Sequence, residues 1–128
     1  MKQVDILGFN SVETANSGDD FELLHKGNPT GITLHVLGKH ADVVKAYEKE
    51  QLKDYARKSS LAEKKGTQIE FQSALIERMD ARTIETALIR VTGWTGAGDF
   101  DKEKLRIALG NNPEWIDEII DFSASLGK

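Results

Sequence analysis

Apolar and polar positions change their period several times along this chain, and each change marks an element. Between residues 21 and 37 the period is two. Phe21, Leu23 and His25 alternate with Glu22, Leu24 and Lys26, and Ile32, Leu34 and Val36 alternate with Thr33, His35 and Leu37. Lys26-Gly27-Asn28-Pro29-Thr30-Gly31 separates the two runs as a turn, so the pattern predicts an antiparallel hairpin. A lone hairpin is marginal in water and needs a third strand or a helix against it. Val4 to Leu7 is the apolar piece expected to supply that strand. The rest of residues 1–20 is mostly polar and reads as an arm or loop.

After Gly38 the period becomes helical. Residues 41–65 read as one long, highly charged helix with a thin apolar stripe of Val43 or Val44, Tyr47, Leu52 and Tyr55. A helix this polar is solvated or packs by a narrow seam. Gly66 stops it. Residues 68–91 read as a second helix. Ile76 and Met79 lie three apart, and Ile84, Leu88 and Val91 recur at i, i+4, i+7. Gly93, Gly96 and Gly98 then interrupt the pattern and predict a flexible helix-to-helix connection. Asp101 is placed to cap a short helix, with Phe100 and Leu105 at the spacing of a hydrophobic staple and Gly110 at its end. Asn112 caps again, with Pro113 at the first helical position. Trp115, Ile119, Phe122 and Leu126 form the stripe of the last helix, widened by Ile116 and Ile120.

Composition narrows the function classes. The chain has 128 residues, enough for one ordinary core. It contains no cysteine, which excludes disulfide scaffolds, thiol nucleophiles and cysteine-ligated metals. No apolar run approaches the length of about 20 residues that spans a bilayer. The first residues lack the apolar stretch of a signal peptide, so a cytoplasmic location is expected. Net charge is −4, which repels phosphate backbones. The lysines of the first long helix are interleaved with acids, so no nucleic-acid partner is expected.

Candidate chemistry is sparse. His25 and His35 lie on facing strands and, with Asp42, make a conceivable metal set. No zinc-type spacing supports it, and surface polar residues are the better reading of all three histidines, His40 included. The glycines at 93–98 match no phosphate-loop motif. The carboxylate groups Asp19/Asp20, Asp99/Asp101 and Asp117/Glu118/Asp121 read as solvated faces. No nucleophile–base pair, catalytic residue, cofactor site or metal site is expected, and the chain reads as a non-enzyme. The two tryptophans stand out, because tryptophan is enriched in interface hot spots. Trp115 fits a core position, and Trp94 fits a core or an interface equally well.

Three stretches carry a family likeness: Val91-Thr92-Gly93-Trp94-Thr95-Gly96, then Phe100 to Leu105, then Leu109-Gly110-Asn111-Asn112-Pro113-Glu114-Trp115-Ile116-Asp117-Glu118-Ile119. They resemble the C-terminal part of the tail assembly chaperones of long-tailed phages. That family has V-x-x-W-x-G before a short helix, then a leucine, a proline and an apolar pair entering a final helix. The likeness covers about forty residues. The 96–98 glycines replace the family's more ordinary polar loop.

The resemblance implies a protein that binds the helical tape-measure protein and keeps it soluble until tail-tube protein polymerises around it. It also implies self-association. Many members are made in two lengths by ribosomal frameshifting, and Gly127-Lys128 can be encoded by a slippery G/A-rich heptamer. The alternative expectation is a small structural tail or connector subunit retained in the virion. Expected partner-binding or self-association residues are Trp94, Phe100, Trp115, Ile116, Ile119 and Phe122. The expected architecture is a single α+β domain over 1–128. Its front part, 1–38, is β-rich, and 41–128 is a helical part of about four helices.

Overall fold

The structure, a computed structural model, describes residues 5–126, with the side chains of all of these except 79–82. It is α+β: a three-stranded antiparallel sheet with a mainly helical remainder. A single 3-10 turn, Ile6–Gly8, leads into helix α1, Ser11–Ser17. Strands β1, Asp19–His25, and β2, Asn28–Val36, form the expected hairpin. Its turn is tighter than the sequence cluster implies. Only Lys26 and Gly27 lie outside the strands, both at positive φ (52° and 81°), as the tightest hairpin turns require. The register slips between Glu22 and Leu24. There the Leu23 carbonyl accepts a 2.8 Å hydrogen bond from the Thr30 hydroxyl.

The third strand is not Val4 to Leu7. Val4 lies outside the described residues, and Ile6 and Leu7 sit in the 3-10 turn, which the Asp5 carboxylate caps by accepting from Leu7 N–H. Strand β3 is Val91–Thr95, and it pairs antiparallel with β2 so that β2 is central. Two features of the sequence concealed it. The helix expected over 68–91 is in fact two helices, α3, Gln68–Glu77, and α4, Met79–Leu88, separated at Arg78. Val91, at helical spacing from Ile84 and Leu88, instead faces Val36 across the sheet. Of the glycines that follow, Gly96 passes close against β2: a Cβ there would overlap the Gly31 carbonyl oxygen.

Between hairpin and α3 runs α2, Asp42–Lys65, ended by Gly66 in the left-handed region. Helix α5, Lys102–Asn111, starts where expected. Asp101 accepts from the backbone N–H groups of Glu103 and Lys104. It runs past Gly110 to Asn111, so Gly110 is not its cap. Helix α6, Pro113–Ser125, has proline in its first turn, but Asn112 does not cap it. The Asn112 side chain turns back to donate to the Ala108 carbonyl of α5. Gly127-Lys128 lies outside the described residues.

One sheet face carries the core. Phe21, Leu34 and Trp94 stand side by side across the three strands. Leu23, Leu34, Val36 and Val91 pack there with Ala87 and Leu88 of α4, Leu105 and Leu109 of α5, and Trp115, Ile116 and Ile119 of α6. A second, smaller cluster of Ala15, Leu37, Ala41 and Val44 joins α1 to the root of α2.

Candidate interaction surfaces

The residues expected to meet a partner divide into two groups. Trp115, Ile116 and Ile119 are core side chains. The Trp115 indole N–H donates to the Leu24 carbonyl at 2.7 Å, locking α6 to the end of β1. Their stripe is broad because the sheet occupies it. Trp94, Phe100 and Phe122 are half-buried at the margin of that core. Trp94 and Phe100 meet edge to face at 5.0 Å, and the Trp94 N–H donates to the Gly98 carbonyl at 2.9 Å. The 93–98 turn therefore wraps the indole. Phe122 stacks against Phe21 at 5.0 Å, on β1.

The larger apolar exposure lies elsewhere, on the α2–α3 helical hairpin. Helix α2 buries only Val44 and Ala62 in 24 residues, and α3 buries none. The seam between them is Tyr55 against Phe71, ring centroids 5.7 Å apart. Beside it opens a cleft of about 240 Å³ lined by Tyr55, Phe71, Ala74 and Leu75, with Gln51, Asp54, Lys58 and Arg78 at the rim. Hydrogen bonds from Lys58 and then Arg57 hold the Asp54 carboxyl below its ordinary value. Leu52, Ile69 and Ile76 stand 69%, 81% and 69% exposed. Ile69 and Ile76 are seven apart, so they share the face of α3 turned away from α2. Of these, only Leu52 and Tyr55 belonged to the stripe legible in α2. Ile69 carries the same signal in weaker form, an apolar residue seven before Ile76.

The root of this hairpin is fixed by a buried cation. Arg90 lies between α4 and β3, 4% exposed. Its guanidinium donates to the Ser123 hydroxyl at 3.1 Å, the Thr86 carbonyl at 2.6 Å and Glu48 of α2 at 3.2 Å. Ser123 in turn donates to the Leu37 carbonyl at 2.7 Å. A buried cation persists only when paired and hydrogen-bonded in this way. Periodicity did not reveal it, since Arg90 falls outside the apolar stripe of the helix expected over 68–91.

The histidines do not converge. His25 pairs with Asn28 at the turn, His35 pairs with Asp20 at the far end of the hairpin, and His40 precedes α2. Among the described residues no group of three His, Asp or Glu side chains is placed to hold a metal ion. Among them, too, no helix is long and apolar enough to cross a membrane. Compared with known proteins, the chain matches no family model, no curated protein and no solved structure.

Proposed function

We propose that this chain is a tail assembly chaperone of a long-tailed phage or prophage. It acts in the host cytoplasm by binding tape-measure protein and keeping it soluble until tail-tube protein polymerises. One observation carries the reading: the α2–α3 hairpin leaves Leu52, Ile69 and Ile76 open to solvent on a two-helix frame closed by Gly66 in the left-handed region. A long amphipathic helix aggregates through its own apolar stripe. A second helical surface of complementary polarity covers that stripe by helix-to-helix contact. Many weak sites along one long partner add by avidity, and self-association of the chaperone strengthens this further. The likeness of residues 91–119 to the chaperone family supports the same assignment.

The test is co-expression with a tape-measure protein. The wild-type chain is expected to move that protein from the pellet to the soluble fraction. Ile69→Asp and Ile76→Asp together are expected to abolish this while the purified variant keeps its melting temperature. Equal solubilisation by the variant would remove the hairpin from the site. No solubilisation by the wild type, together with recovery of the chain from finished particles, would assign it instead to a small structural tail or connector subunit.

A further inference from the structure

We infer that protonated His35 is a clip that holds α1 against the sheet, closed at low pH and loosened as pH rises. Its ring stands on the sheet face opposite the core, between Leu34 and Val36, which both point inward. Nδ1 lies 2.9 Å from a carboxylate oxygen of Asp20, on β1. Nε2 lies 2.8 Å from the carbonyl oxygen of Ser17, the last residue of α1. Both neighbours are acceptors. A neutral imidazole has a single N–H and can serve only one of them, whereas the imidazolium donates to both. The arrangement is complete only in the charged ring.

The surroundings favour that state. The acidic groups facing the ring are Asp20 and Asp19, both from β1. β3 places Gly93 opposite His35 and so brings no side chain. α1 brings the Ser17 carbonyl, one of the orphan acceptors that every helix end must satisfy. The hydrogen bond that His35 donates to Asp20 outweighs partial burial, and with the Ser17 contact it raises the His35 pKa above 6.5. A group raised on folding adds stability that is full below its unfolded value. That stability is lost as pH rises through the folded value. The window therefore opens at 6.5 and extends upward.

What the clip holds is specific. α1 is also tied by Gly38 N–H donating to the Ala15 carbonyl and by Asn16, which pairs with the first turn of α2 through Asp42. Gly18 passes so close that a Cβ there would stand 3.0 Å from His35 Nε2. When the ring loses its proton, one nitrogen turns a lone pair toward an oxygen. If Asp20 keeps the N–H, α1 loses its donor. Opening α1 uncovers the apolar cluster of Ala15, Leu37, Ala41 and Val44 at the root of α2. None of this depends on what the hairpin binds.

The experiment is a pair of measurements on the whole chain between about pH 6 and pH 8.5, where histidine titrates. NMR of the imidazole gives the His35 midpoint. Amide exchange, corrected for intrinsic rates, gives the protection of Gly18 and Gly38 against that of Ile119 in α6. The midpoint is expected above 6.5. Protection of the two glycines is expected to fall in total by tenfold for each pH unit of that elevation, and that of Ile119 by no more than this. Asp20→Asn should lower the midpoint, and His35→Gln should make glycine protection independent of pH. A midpoint at or below the free value, or glycine protection that stays constant through the His35 titration, would overturn the clip. The wild-type titration decides this even if a variant fails to fold.

Discussion

α6 and α3 are both short helices rich in large apolar residues, yet they do opposite things with them. α6 buries Trp115, Ile116, Ile119 and Ser123 within 13 residues, whereas α3 buries nothing within 10. The difference lies in what each helix meets. The α6 stripe lies against a sheet whose own inward row, Phe21, Leu34 and Trp94, fills it. α3 meets α2, a helix with too thin an apolar stripe to cover both sides of its partner. Apolar content alone thus does not locate the core. It is the presence of a second apolar layer that converts a stripe into stability.

Three substitutions put that contrast to the test. Trp115→Ala removes the largest side chain of α6 and orphans the Leu24 carbonyl. It should lower stability by about 3–5 kcal/mol, read from the urea midpoint. A loss under about 1 kcal/mol would mean that α6 is not the keystone. Arg90→Met acts on the joint between the two regions. It leaves Glu48 and Ser123 without their donor and should cost about 1–3 kcal/mol. Amide protection should fall in α2 more than in α6, and an equal fall in both would place Arg90 within the body alone. Ile69→Asp touches only the open face and should change stability by less than about 0.5 kcal/mol. A larger loss would show that α3 is covered after all.

The same contrast explains what the sequence made legible. The hairpin was readable because period-two patterning flanks a turn cluster on both sides. The α5 start was readable because Asp101 capping is a local property of a few residues. β3 was hidden because Val91 pairs with Val36, fifty-five residues away, and because Gly93 within it, with Gly96 and Gly98 just after it, resembles a loop. Helical spacing of Ile84, Leu88 and Val91 was real but ended by pairing with β2, a tertiary effect that outranks propensity. Among the expected contact residues, Trp115, Ile116 and Ile119 were visible as a stripe, but whether a sheet or a partner fills a stripe is not written in its spacing. Arg90 was invisible for the same reason, since its three acceptors come from α2, α4 and α6.

The bond from Trp115 to Leu24 spans 91 residues, and this sets a schedule for the chain as it is made. Synthesis delivers β1 and β2 early, and the α2–α3 hairpin soon after. Helical contacts of such short range form fast. The inward face of the sheet must wait for β3, and then for α6, before water leaves it. Through most of translation, the nascent chain therefore offers Leu23, Leu34 and Val36 uncovered. Any stall before Trp115 leaves a ribosome-bound species with a formed helical hairpin and an open sheet, which is the state most open to unwanted strand pairing.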